Sequence, residues 1–119
     1  MERDPAYLLD MLQAAQEVRE LSVNLTWEVF RHSKLHQYAL VKLLEIIGEA
    51  GRAISEEVKT AHPEIPWIPI IDMRNHLVHR YFRIDLVRVW DVVQNHIGPL
   101  IIQLEPLVPP DEGSNPAPA

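Results

Sequence analysis

Asp72-Met73-Arg74-Asn75-His76-Leu77-Val78-His79-Arg80-Tyr81 is the densest polar run in the sequence, and it holds the residue types for acid–base work on a phosphate ester. An imidazole that titrates near neutral pH can take the proton from a ribose 2′-hydroxyl or deliver one to the leaving oxygen. A guanidinium can grip the phosphate through two parallel N–H bonds and offset the charge that grows in the transition state. Arginine plus histidine without a metal therefore suits cleavage of RNA, whereas DNA lacks the attacking hydroxyl. Asn75 and His79 are four apart, so on a helix they share a face, and an amide there can fix which imidazole nitrogen carries the proton. Arg74 and His79 are five apart, about 140° round an ideal helix. They meet on one ligand only if the helix end loosens or a second subunit completes the site. The plain structural alternative is a pair of cations finishing a helix C-terminus, where positive charge is favoured.

Those residues sit on an acidic chain. Its 119 residues suit a single domain, and a 47% apolar, 24% charged composition is that of a globular protein. Acids outnumber bases 17 to 11, a net charge of −6, so broad adhesion to nucleic acid through bulk charge is not expected. Residues 1–30 hold Glu2, Asp4, Asp10, Glu17, Glu20 and Glu28 against Arg3 and Arg19. Residues 71–90 reverse the balance, with Arg74, Arg80, Arg83 and Arg88 against Asp72 and Asp85. A local anion site on an acidic body is one reading; a solvated helix face is the other. Without cysteine there is no disulfide scaffold and no thiolate metal site. The opening residues do not read as a signal peptide, and no apolar run approaches the roughly 18 residues that span a bilayer. The expectation is a cytoplasmic chain that makes no membrane contact.

The apolar spacing predicts helices throughout. Asp4-Pro5 supplies a cap and a first-turn proline, and Leu8, Met11, Leu12, Ala15, Val18 and Leu21 then recur at helical spacing over about 5–21. Thr26 is expected to cap a short segment from Trp27 to His32, and Ser33 a long helix running to about Lys59. Gly48 and Gly51 inside it each cost up to about 1 kcal/mol against alanine, and close approach of another helix is the plausible return. Pro63, Pro66 and Pro69 stiffen a connector into a helix from Pro66-Trp67 to about His79. Asp85 caps a further helix, and Gly98-Pro99 is expected to kink or restart it. Residues 1–108 thus read as one antiparallel bundle of four to five helices, all-α, and 109–119 as a disordered proline-rich tail. Excess aliphatic faces and three tryptophans point to a homodimer.

Four further groups each have a functional and a structural reading. His32 and His36 are four apart and can face one metal ion, but no third ligand is near, and a solvated pair explains them as well. His76 and His79 are poor metal ligands because Arg74 and Arg80 repel a cation; no metal and no cofactor is expected. Glu45 and Glu49 either line an exposed acidic edge or reach an arginine of the polar run and tune its position. Trp27, Trp67 and Trp90 read as core or dimer contacts, not as stacking platforms for bases.

Arg74-Asn75-His76-Leu77-Val78-His79-Arg80-Tyr81 resembles the R-N-x-x-x-H-x-Y signature of HEPN-superfamily proteins of the HepT type, ribonuclease toxins encoded beside a minimal nucleotidyltransferase antitoxin. Leu44-Glu45-Ile46-Ile47-Gly48-Glu49-Ala50, His62-Pro63-Glu64-Ile65-Pro66-Trp67, and Asp85-Leu86 with Val89-Trp90-Asp91 extend the resemblance, in the family's order, across about residues 5–107. The resemblance implies a helical homodimer of HEPN type whose two motifs face a cleft between subunits. It implies an endoribonuclease toxin of a type II/VII-like toxin–antitoxin pair, with RNA as substrate. Arg74 and His79 would be catalytic, with Asn75 positioning His79 and His76 and Arg80 as basic support. Tyr81 would accept AMP from the cognate antitoxin, adding bulk and negative charge that repel RNA phosphates. His76 leaves open which histidine transfers the proton. A helical dimer that binds nucleotide, RNA ends or a nucleotidyltransferase without catalysis is the alternative, and an antidote role is a third.

Overall fold

At the start of four helices a side-chain oxygen accepts from a free amide group. In the computed structural model, which describes residues 2–80 and 83–109, the helices are α1 (Asp4–Ser22), α2 (Trp27–His32), α3 (Lys34–Ala53), α4 (Glu56–Ala61), α5 (Trp67–His79), α6 (Leu86–Asn95) and α7 (Ile97–Leu104). A 3-10 turn, Glu105–Leu107, follows, and the described residues contain no strand. Thr26, Ser33 and Asp85 cap as expected, accepting from the amides of Val29, His36 and Arg88 at 3.2, 3.3 and 3.2 Å. Such caps contribute about 1 kcal/mol each. Tyr81 and residues 110–119 of the expected tail lie outside the described residues.

Two sequence expectations change. Asp4 does not cap α1 but is its first residue, and its buried carboxylate turns to Ser55, accepting from the backbone amide at 2.9 Å and the hydroxyl at 2.7 Å. The helix expected from Ser33 to Lys59 breaks there. Ile54 and Ser55 are extended, and Ser55 restarts the chain as the cap of α4, accepting from Val58 N at 3.3 Å. An amide committed to Asp4 cannot continue an intrahelical ladder. The expected short α2 forms, and α4 and α7 raise the helix count to seven among the described residues; the long helices form the expected all-α bundle.

The core is aliphatic. Met11, Ala15 and Val18 of α1, Leu40, Leu44 and Ile47 of α3, Leu77 of α5, and Leu100, Ile101 and Leu104 of α7 are all buried. α3 packs against both α1 and α5, and α7 also packs against α1. Trp27 of α2 and Trp90 of α6 close one end around Phe30, with ring centroids 5.2 to 6.1 Å apart. Trp67 is buried at the start of α5, its indole N–H donating to the His62 carbonyl at 2.9 Å. No described helix is long and apolar enough to cross a membrane.

The Asp4–Ser55 clasp joins α1 to the α3–α4 break across 51 residues. Replacing Asp4 with alanine leaves the Ser55 amide without its charged acceptor and is expected to lower stability. Urea unfolding followed by circular dichroism reads the loss.

Candidate functional site

The site grows from a close contact between two helices. α3 and α5 pack directly on one another, and at Gly48 there is no room for a side chain. A methyl there would overlap Cβ of Arg74, and would lie 3.0 Å from Arg74 Cγ and 3.1 Å from the Ile70 carbonyl oxygen. Gly51, one turn on, faces Ile70 and Met11 at ordinary contact distance, 3.4 Å each. Only Gly48 is therefore obligatory for the approach, and it sets where Arg74 leaves α5.

Arg74 is held from both helices. Oε2 of Glu49, the residue after that glycine, lies 2.7 Å from Arg74 Nε, and Arg74 Nη1 donates to Asn75 Oδ1 at 3.0 Å. The Nε atom is buried, and its N–H does not point along the line to Glu49 in hydrogen-bonding geometry. Charge and proximity therefore hold this pair more than a directed hydrogen bond does. The arginine side chain is 16% exposed and the glutamate 57%, so solvent screens the pair from one side only. Of the two open readings for Glu49, contact with the motif arginine is the one observed.

Asn75 engages Arg74, not His79: among the described residues no hydrogen bond joins the Asn75 amide to His79. His79, the last residue of α5, is exposed, with no hydrogen-bond or ion-pair partner among the described residues. His76 is differently placed. It is half-buried, and its Nε2 accepts from the Asp85 amide at 3.4 Å, tying α5 to the start of α6. Burial first, then the cations Arg88 and Arg80, push its pKa below the ordinary 6.5, against a smaller opposing pull from Asp85. Arg80 is exposed at the α5 C-cap, its amide donating to His76 O at 3.0 Å. The bearing of Arg88 on His76 was not legible from the motif, since Arg88 lies twelve positions on; the Asp85 cap three residues before Arg88 was the available signal.

The other histidine pair serves local structure. His36 Nδ1 lies 2.7 Å from the Ser33 hydroxyl, and His32 Nε2 accepts from Arg31 Nε at 3.0 Å. An apolar cavity of about 290 Å³ between α3, α5, α6 and α7 has Leu44, Met73 and Arg88 among its lining residues.

Two measurements test the geometry. Gly48→Ala forces α3 and α5 apart or displaces Arg74, at about 1–3 kcal/mol for overpacking, read by chemical denaturation. For His76, a folded pKa below the unfolded value makes protonation oppose folding. Its contribution is complete above pH about 6.5 and is lost as pH falls through the folded pKa. Wild type is therefore expected to lose more stability than His76→Gln between pH 7.5 and 5 (a range of about one unit or more on each side of an ordinary imidazole).

Residues 11–107 match the family model described as HepT-like, "Ribonuclease HepT-like". A Thermococcus cleftensis protein named "Probable ribonuclease HepT" is 38% identical over 101 residues, covering 85% of this chain and 92% of that protein. "Putative RNase MJ1380" of Methanocaldococcus jannaschii is 34% identical over 100 residues, covering 84% of this chain and 92% of that protein. No solved structure matches significantly. The chain belongs to the HepT-like ribonuclease family, as an all-α, RNA-cleaving enzyme.

Proposed function

We propose that the chain is a metal-independent endoribonuclease toxin whose site is the α5 C-terminus, with Arg74 and His79 catalytic. The observation that carries the reading is the contrast between the two histidines beside an anchored arginine. His76 is tied to Asp85 and biased toward its neutral form, whereas the His79 side chain is exposed and held by no partner among the described residues. Arg74 binds the scissile phosphate and stabilises charge on its oxygens. His79 moves the proton of the 2′-hydroxyl or of the leaving oxygen. His76 and Arg80 add positive charge at the same helix end, and Asn75 acts on Arg74.

The working unit is a homodimer. Leu35, Tyr38 and Ile46 of α3 lie along one helix face with Lys42 and Glu49, and they are 76%, 69% and 36% exposed. Val78 adds to the exposed apolar surface from α5. A second copy seated there covers that surface and brings two Arg74–His79 sets to one cleft, which removes the angular difficulty within a single helix. The cognate nucleotidyltransferase antitoxin silences the enzyme by transferring AMP to Tyr81, two residues beyond His79. Its phosphate repels the RNA backbone.

Purified protein is expected to cleave RNA in EDTA, and His79→Ala and Arg74→Ala each to lose about 100-fold or more. Arg74→Lys also falls, because lysine has no planar fork. Equal cleavage by wild type and His79→Ala would remove His79 from the mechanism. A Leu35→Glu/Tyr38→Glu variant is expected to be monomeric by light scattering and inactive; an active monomer rejects the shared cleft. Exposure to the antitoxin and ATP is expected to add about 329 Da per AMP to the intact mass, at Tyr81.

A further inference from the structure

We propose that Glu49 is a positioning residue for the reaction: its carboxylate holds the inner edge of the Arg74 guanidinium, so that the outer edge is presented to RNA in one orientation. The proposal rests on the catalytic reading of Arg74.

A guanidinium carries one N–H at Nε and two at each terminal nitrogen. Here Nε is buried against Glu49 Oε2 at 2.7 Å, and one Nη1 proton is spent on Asn75 Oδ1 at 3.0 Å. The second Nη1 proton and both on Nη2 remain, which is the end-on fork that grips a phosphate through two parallel bonds. Gly48 fixes the base of the same side chain by admitting Arg74 Cβ and Cγ where a methyl would stand. The arginine is thus held at its root by α3 backbone, at its inner edge by an α3 carboxylate, and at one tip by its own helix. A side chain ordered before substrate arrives needs no reorganisation at the moment of reaction.

Glu49 differs from an ordinary surface ion pair in two respects. It joins two helices instead of successive turns of one, and its partner is 16% exposed. Because the Nε–H is not aimed at the carboxylate, the negative charge does most of the holding, and a neutral amide of the same shape is a poor substitute. The same charge also stands near the arriving phosphate and weakens ground-state binding slightly. Glu49 therefore acts on kcat, and its removal does not raise KM.

The test is Glu49→Gln, alone and in an Arg74→Lys background, assayed as the full chain on RNA. Glu49→Gln alone is expected to lower kcat about 10- to 100-fold, with KM unchanged or reduced. In the Arg74→Lys background the same change is expected to cost less than about twofold, since there is no fork left to orient. A general weakening of the fold would instead multiply the two losses. Nitrogen-15 relaxation at Arg74 Nε gives a readout independent of turnover, and its order parameter is expected to fall in Glu49→Gln. Wild-type kcat in Glu49→Gln, multiplying losses, or an unchanged order parameter would each overturn the positioning role while leaving Arg74 catalytic. Full activity in Arg74→Lys alone would instead remove the catalytic reading, and the positioning role with it.

Discussion

The missing side chain at Gly48 is the constraint on which the polar site depends. Two helices normally pack with their axes about 8–10 Å apart, a separation set by the side chains between them. Where α3 meets α5, one of those side chains is absent, and the aliphatic root of Arg74 fills the space. That single contact lowers the arginine into the seam, buries Nε, and brings Glu49 within ion-pair distance. A larger residue at the same position would push Arg74 out of the seam and away from Glu49.

The rest of the bundle keeps that seam in register. The N-terminus of α5 is fixed by Trp67, whose indole N–H bonds to His62 O, and by the Gln103 amide, which donates to Glu64 O at 3.0 Å from α7. Pro69 falls in the first turn of α5, where a missing N–H costs no helical bond. At the other end the helix terminates through the Arg80 amide on His76 O, and His76 fastens it to the α6 cap. α3 is pinned in turn by its Ser33 cap and by the break at Ser55 that Asp4 imposes. Both helices of the seam are therefore clamped at both ends, and His79 ends α5 exposed to solvent.

What the sequence made legible follows from range. Interactions within one helical turn were readable: the Thr26, Ser33 and Asp85 caps, the restart before Gly98-Pro99, and the aliphatic spacing that lines the core. The all-α bundle followed from these, and the two glycines inside a helix signalled a close neighbour without naming it. Contacts between distant residues were not readable. Asp4 has the type and position of a helix cap, and nothing local says that its carboxylate goes to Ser55 instead. Asn75 is equally well spaced for His79 and adjacent to Arg74, and the choice between them depends on where Gly48 places the arginine. Glu49 had two equal readings for the same reason.

An acidic chain that cuts a polyanion must restrict attraction to one place. With a net charge of −6, long-range forces oppose RNA at most of the surface, and screening limits those forces to about 8 Å at physiological salt. Within that distance of the α5 C-terminus the proposed ligand meets Arg74, Arg80 and the histidines, with Glu49 occupied by its own cation. Pairing Glu49 with the buried inner edge of Arg74 thus does two things at once. It sets a cation against that carboxylate, and it does so at the buried Nε edge, which leaves the terminal nitrogens of the guanidinium for other partners. A lysine at the same place would have to give the same ammonium to both partners, so in the proposed site the division of one cation between a protein carboxylate and an RNA phosphate requires a guanidinium.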